Sequence, residues 1–442
     1  MAQSMTVTVI GGGSTYTPEL IEGVLRRKRV FPVAEVRLMD IDAGKLQIVG
    51  ALARRMARAA GTGTRVVLTT SLKQALDGAD FVFSQIRVGG MAARVLDEKV
   101  PLRLGVIGQE TTGPGGFAKA LRTVPAMLNV AHHMERLCPQ AWLINFTNPS
   151  GIVTEALLKH SRVRCLGLCN VPIGWYMEFA RMLKARPKDL RFDYLGLNHL
   201  SWIRKIFCKG QDVTDQVLDT LIQRGSPEGA RLLRLLRMIP NGYLNYYYAT
   251  ERVLERMRKA PKTRGEEVQE IEASLLAKYR DPKLARKPPE LSKRGGAFYS
   301  EAALSLSTSV YANLGEVHVV NVRNGNALPE LPPNCVIEHS CMVDGEGAHP
   351  LPTEPLPPQI RGLLQAVKSY EELAVEAAVT GDRRTAVLAL VAHPLVRTVD
   401  LAERLVDALL HAHRDYLPQF FPQRRRRAAR KVASRRPGGK AR

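Results

Sequence analysis

The sequence predicts an α/β fold: a Rossmann-like doubly wound parallel sheet followed by a mixed α+β C-terminal domain. Three observations carry that prediction. The chain opens on a short β-branched run, Thr6-Val7-Thr8-Val9-Ile10, which ends in Gly11-Gly12-Gly13 and passes into the helical pattern Leu20, Ile21, Val24, Leu25. Apolar strands then recur between helical stretches, at Glu35 to Met39, Arg65 to Leu68 and Asp80 to Ile86. Past Cys208 this rhythm gives way to long helices and two later strands. The spacing divides the chain into a dinucleotide platform over 1–170, a second part over 171–422, and a tail over 423–442.

The first turn is the platform's centre. A strand, a glycine turn and a helix N-terminus let backbone N–H groups and the helix dipole hold a pyrophosphate, and side chains would block that approach. Gly11 and Gly13 fit the G-x-G-x-x-G pattern, whereas its third position is Tyr16. The motif alone leaves a ligand-free turn open. The acidic end of the second strand, Asp40-Ile41-Asp42, stands where a ribose-binding carboxylate belongs and favours NAD over NADP. Gly11, Gly13, Ser14, Thr15 and Asp40 are the candidate cofactor contacts, joined by Arg87 after the fourth strand.

Further along, Ile107 to Phe117 is a loop rich in glycine and polar residues, a connection or a ligand-lining segment, and a helix is expected from about Ala118 to Arg136. A strand at Ala141 to Asn145 ends in Phe146-Thr147-Asn148-Pro149-Ser150-Gly151, polar residues at the carboxyl edge where such sheets bind ligands. After a helix to His160, a strand from Arg164 to Leu168 delivers Cys169-Asn170-Val171-Pro172. Asn198 and His199 follow, before a strand from Ile203 to Cys208 that marks the entry to the second part. Residues Val213 to Met238 read as basic and helical, and Asn241 to Tyr248 is the densest aromatic cluster. A charged helix over Arg252 to Tyr279, interrupted near Pro261 and Gly265, a helix to Tyr311, strands at Glu316 to Val322 and Cys335 to Val343, and helices at Gln359 to Val379, Arg383 to His393 and Val399 to Arg414 complete the reading.

Composition bounds the rest. The chain has 442 residues, 45% hydrophobic and 24% charged, ordinary for a globular protein. No apolar run is long enough to span a bilayer, and Met1-Ala2-Gln3-Ser4 does not open a signal peptide. Six scattered cysteines without a framework point to a reducing cytoplasm. The net charge is +22, of which ten Arg and Lys residues without an acid lie between Gln423 and Arg442. That stretch is expected to be a solvated, disordered extension. A nucleic-acid role for it would need aromatic interleaving or a binding motif, and it has neither.

Several residue types in these places can carry chemistry. A thiol and an imidazole at strand ends, Cys169 and His199, suit a divalent transition metal with positions left open for substrate oxygens. A structural cysteine and a core histidine are the alternative. Tyr243 is a candidate general base if a cation lowers its pKa. Its aromatic neighbours read as packing. Arg87, Arg94 and Arg264 are candidate phosphate clamps, because guanidinium matches phosphate bidentately. Glu110 is a candidate active-site acid, or a helix-entry residue.

In order, the phrases IGGGSTYTPEL, IGQETTGPGGF, NFTNPSG, GLCNVP, GLNHLSW, YLNYY and SKRGGAFYS resemble the NAD- and divalent-metal-dependent glycosidases of glycoside hydrolase family 4, from Val7 to about Tyr416. The Cys-Asn-Val-Pro form at 169 to 172 is similar to the 6-phospho-β-glucosidase branch. The resemblance implies hydrolysis by elimination: NAD⁺ removes hydride from sugar C3, a tyrosine takes the acidified C2 proton, the metal (usually Mn²⁺) polarises the C2 and C3 oxygens, the C1–O bond breaks, water adds and NADH returns the hydride. It implies that Cys169 and His199 hold the metal and that Tyr243 is the base, tuned by Glu110. It places Arg94, Asn148 and Arg264 on the phosphorylated sugar, and Asn170 and Asn198 beside metal and substrate. It further implies a phosphorylated disaccharide or aryl β-glucoside as substrate and a homodimer or homotetramer, while the composition points to no membrane partner and disfavours nucleic acid. Asn170 stands where the α-branch has an acid, so a water or an activated leaving group must serve there. The basic tail lies outside the family pattern. Without the resemblance, the platform would read as an NAD-dependent 2-hydroxy-acid dehydrogenase.

Overall fold

A computed structural model describes residues 5–295 and 298–421. The basic tail, and Gly296 with Ala297 of the SKRGGAFYS motif, lie outside these residues. The strands are β1 (Met5–Ile10), β2 (Val33–Met39), β3 (Arg65–Thr69), β4 (Phe81–Ser84), β5 (Trp142–Asn145) and β6 (Arg164–Gly167), then β7 (Leu190–Leu197), β8 (Leu200–Cys208), β9 (Gln211–Asp212), β10 (Ile239–Pro240), β11 (Glu316–Arg323), β12 (Val336–Asp344) and β13 (Gly347–Pro350).

A nine-stranded sheet runs in the order β13-β12-β11-β6-β5-β4-β1-β2-β3. Its six first strands are parallel, in the order of dinucleotide-binding folds, with the switch between β1 and β4. The central strands β1, β2, β4 and β5 are buried almost throughout because helices cover both sides, which is why they read as apolar runs, whereas the edge strand β3 buries only Val66. Local chemistry fixes the connections. The helix Ala43–Ala60 starts where the Asp42 carboxylate accepts from the Lys45 N–H at 2.9 Å, a cap that contributes about 1 kcal/mol. It stops at Gly61, whose φ of 61° is left-handed.

The later strands do not build a sheet of their own. β11 joins the edge of β6 antiparallel, Asn321 opposite Gly167, and β12 and β13 follow it. A second, four-stranded sheet is built on the hairpin β7–β8. The expected strand from Ile203 to Cys208 is the second arm of that hairpin and begins at Leu200. The basic region after Val213 is two helices, Thr214–Arg224 and Pro227–Leu236, separated at Gly225-Ser226, where Ser226 caps the second. The glycine-rich loop is shorter than its composition predicts. Gly113 to Phe117 already belong to the long helix Gly113–Leu137, and a Cβ at Gly115 or Gly116 would strike backbone atoms at 2.2 and 2.5 Å. Those glycines serve close packing, not looseness.

Candidate active site

At the first turn, Gly11 has a φ of 90° and, with Gly12, donates to the carbonyl of Met39 at 2.9 and 2.7 Å. The Gly13 N–H donates to Asp40 Oδ2 at 2.8 Å, so the acid that ends β2 also holds the turn in place. A Cβ at Gly13 would lie 2.9 Å from that oxygen, which explains the glycine. Ser14 closes the turn with its N–H on the Gly11 carbonyl, and its hydroxyl accepts from the Tyr16 N–H. The Thr15 hydroxyl is buried with no hydrogen-bond partner. Tyr16, where the pattern has glycine, is buried edge-on against Tyr299, ring centroids 6.0 Å apart.

The chemistry-bearing residues meet beyond the carboxyl ends of β4, β5 and β6. Cys169 is the N-cap of the helix Asn170–Met182, and its sulfur accepts from the Val171 N–H at 3.5 Å. This arrangement suits a thiolate, since helix N-termini favour anions. Asn198 and His199 form the two-residue turn of the β7–β8 hairpin. Such a turn demands a positive φ, and His199 supplies it at 66°. Tyr243 sits in the single 3₁₀ turn Gly242–Leu244, whose entry is fixed by Asn241 Oδ1 accepting from the Tyr243 N–H at 3.1 Å. Its ring lies flat on His199, centroids 3.8 Å apart and planes 2° from parallel.

Electrostatics tie these groups into one centre. Burial pushes the Cys169 thiol up, and Glu338 pushes it further. Burial, then Cys169, Tyr246 and Glu110, raise the Tyr243 phenol. Burial pushes His199 down to about 3, so its imidazole is neutral and a ring nitrogen keeps a lone pair. The centre is short of positive charge at the thiol and phenol, and a cation there would reverse both upward shifts. Among the described residues no group of three or more His, Cys, Asp or Glu could hold a metal. A thiol and a neutral imidazole are a pair that fits a divalent ion taking further oxygens from substrate. The carbonyl oxygen of the Asn148 side chain, buried without a partner, is one more polar atom awaiting a ligand. A cavity of about 970 Å³ reaches Cys169 from a side that His199 and Tyr243 do not line, with Ile173, Tyr176 and Phe298 on its wall.

Glu110 lies at the focus of three cations: Arg87, Arg94 Nη1 at 3.0 Å and Lys119 Nζ at 2.7 Å. Burial alone would raise its pKa, but Arg87, Lys119 and Arg94 outweigh it and hold the carboxyl well below the usual range. Arg94 is also paired with Glu98 at 3.0 Å. Arg87, expected at the cofactor, thus has its guanidinium in this cluster. Asn170 is the first residue of the helix that Cys169 caps. Arg264 stands apart, exposed and paired with Glu267 and the Lys293 carbonyl, although the N–H of Gly265 beside it donates to Glu98 at 2.7 Å.

Two family models match the chain: a family 4 glycosyl hydrolase over residues 6–185 and a family 4 glycosyl hydrolase C-terminal domain over 194–396. The chain belongs to the family 4 glycosyl hydrolases. Among its relatives, a probable 6-phospho-beta-glucosidase of Bacillus subtilis is 44% identical over 95% of this chain and 99% of that one. The 6-phospho-beta-glucosidase of Escherichia coli is 38% identical over 95% and 98%. The 6-phospho-beta glucosidase of Thermotoga maritima, solved with manganese, NAD⁺ and glucose-6-phosphate, superposes with a TM-score of 0.88 at 37% identity over 93% of this chain and 99% of that one.

Two residues of this family 4 site escape a reading of the sequence. Lys119 lies inside an apolar helix, fully enclosed, and burial and Arg87 push it down to about 7 against the pull of Glu110. Glu338 lies mid-strand in β12, and burial pushes it up to about 7 despite hydrogen bonds from Asn198 and Tyr194. The signal in both cases is a charge next to apolar residues of a core element, where an ionised group is costly unless hydrogen-bonded or paired.

Proposed function

We propose that this chain hydrolyses the O-glycosyl bond of 6-phospho-β-glucosides with NAD and Mn²⁺ or another divalent metal. The observation that carries this reading is the stack of Tyr243 on His199 beside Cys169, at the ligand edge of a dinucleotide sheet. The Gly11–Thr15 turn and Asp40 bind the dinucleotide. Cys169 Sγ and a His199 nitrogen would hold the metal. Hydride transfer at C3 would be supplied by bound NAD⁺, and polarisation of the neighbouring sugar oxygens by the metal. Tyr243 removes the C2 proton at its phenol oxygen, and Glu110, anionic among its cations, sets how much positive charge that ionisation needs. Asn148, Asn198 and Asn170 orient the sugar ring. Arg94 meets the phosphate, with Arg264 at the outer edge. Asn170 cannot donate a proton as an acid would, so water protonates the leaving oxygen.

Homologues named as 6-phospho-beta-glucosidases at 38–44% identity support the β-branch over a stand-alone dehydrogenase. Residues 1–170 serve the cofactor, and the part after 171 serves substrate, metal and assembly as a homodimer or homotetramer. The cytoplasm is the compartment we assign, given six unpaired cysteines. No described helix is long and apolar enough to cross a membrane. The test is a panel of 4-nitrophenyl α- and β-glucosides, with and without a 6-phosphate, assayed with NAD⁺, Mn²⁺ and reductant. The expected result is release from the phosphorylated β-glucoside, dependent on both cofactors and without net NADH. Full activity after removal of NAD⁺ and metal, or stoichiometric NADH, overturns the proposal.

A further inference from the structure

Glu338 is wholly buried on β12, opposite Asn321 of β11. Its Oε1 accepts from Asn198 Nδ2 at 2.9 Å and Asn321 Nδ2 at 3.3 Å, and its Oε2 accepts from the Tyr194 hydroxyl at 2.9 Å. The Ser201 hydroxyl lies 3.5 Å from Oε2 and 2.6 Å from the Tyr194 hydroxyl. Among the described residues its polar contacts are all neutral donors, with no cation among them. A carboxylate buried without a cation is costly, so a fold that needed only an acceptor here would gain by using an amide.

The donors lead to the reacting groups by two routes. Asn198 is the hairpin-turn neighbour of His199, and its amide favours the charged form of Cys169. Ser201 Oγ accepts from Asn241 Nδ2 at 3.1 Å, and Asn241 Oδ1 in turn holds the Tyr243 N–H. One carboxylate therefore braces the hairpin that bears the imidazole and the turn that bears the phenol. Its charge also acts on the Cys169 sulfur.

We propose that Glu338 is a positioning residue for the reaction: a buried anion that fixes Asn198 and the Tyr243 turn by hydrogen bonds and adds negative charge behind the Cys169–His199 metal pair. The inference rests on the proposed roles of Cys169, His199 and Tyr243. It differs from a structural role because the charge itself matters. Glutamine has the same shape, and its Nε2 can donate to the two hydroxyls at Oε2 once they rotate, so E338Q keeps the geometry and removes only the charge.

The test compares wild type, E338Q, S201A and H199A as full chains. Mn²⁺ binding is measured by the EPR signal of free Mn²⁺ in the presence of NAD⁺, alongside the melting temperature and the kcat and KM of the 6-phospho-β-glucoside at saturating Mn²⁺. E338Q is expected to weaken Mn²⁺ by about tenfold or more, the size of an outer-shell effect, without lowering the melting temperature at pH 8. S201A, which cuts the arm to Asn241 and the Ser201 contact of the Tyr194 hydroxyl but leaves Asn198 on Oε1, is expected to lower kcat at least about fivefold with KM unchanged, because a small misplacement of the base is enough. Mn²⁺ binding by E338Q within twofold of wild type, or a loss that only follows a lower melting temperature, overturns the charge role. An unchanged kcat in S201A overturns the bracing role. H199A separates the two levels: if it binds Mn²⁺ as wild type does, the metal assignment itself falls, whereas its loss of Mn²⁺ leaves the Glu338 result to be judged alone.

Discussion

His199 and Tyr243 lie face to face, their ring centroids 3.8 Å apart and their planes within 2° of parallel, although 44 positions separate them in the chain. The stack brings the phenol to the imidazole without joining the two by a hydrogen bond. The face of the tyrosine is spent on packing, and its oxygen is left for a proton. Phenylalanine keeps the face and loses the oxygen. Y243F is expected to keep Mn²⁺ affinity within about threefold while kcat falls by roughly 10²–10⁴, the usual weight of a general base. Exchange of a C2 deuteron with solvent, followed by NMR, should stop in the same variant. Exchange at the wild-type rate would remove Tyr243 from the role of base.

Asp40 has two tasks, holding the Gly13 N–H and presenting a carboxylate at the ribose position. D40N keeps an oxygen for the N–H and removes the charge. NAD⁺ affinity by calorimetry is expected to fall about tenfold, the loss of roughly one charge-assisted hydrogen bond, with the preference over NADP⁺ narrowed. An unaltered preference would place the discrimination elsewhere.

The pKa of Glu338 gives a stability test in the metal-free protein. Burial raises this carboxyl from 4.5 to about 7. A group whose folded pKa is raised stabilises the fold fully below its unfolded pKa, and that stabilisation is lost as pH rises through the folded value. The window is therefore pH 4.5 to 7, and the total is on the order of 3 kcal/mol. The melting temperature of E338Q relative to wild type should rise across that window and level off above it. A flat difference would mean that Glu338 titrates normally.

Arg122 meets Asp97 through two hydrogen bonds of 2.8 Å each, both side chains buried, with the His413 imidazole 3.0 Å from the same carboxylate. This joins the helices Gly90–Arg103 and Gly113–Leu137, which carry Arg94 and Lys119, to the end of the helix Val399–Ala412. D97N strands a buried guanidinium and should cost about 3–5 kcal/mol in urea unfolding. A loss below about 1 kcal/mol would show that water reaches the pair.

Much of this was readable in the sequence, for reasons visible at particular residues. The central strands of the parallel sheet are covered on both faces, so their apolar runs stood out, and the residues after them fell at the ligand edge by topology alone. Cys169 and His199 could be named individually because each is a chemically distinctive residue at a strand's end, whereas Tyr243 stood out from its tyrosine neighbours only through the family resemblance. Their convergence could not be read, since it depends on a hairpin whose turn is Asn198-His199 in place of the glycine that would have announced it. The addition of β11 to β6 was hidden for a similar reason: an antiparallel edge pairing between residues 167 and 321 leaves no local trace. Glu338 escaped because a single strand does not show what faces its acid.

The left-handed backbone of His199 has a consequence for anyone engineering this protein. A non-glycine residue there costs roughly 1–2 kcal/mol, so glycine at 199 would tighten the hairpin while erasing a proposed ligand. A library sorted only by heat tolerance would drift toward that replacement and return sturdy, inert molecules. Selection for robustness here has to be coupled to a screen for turnover.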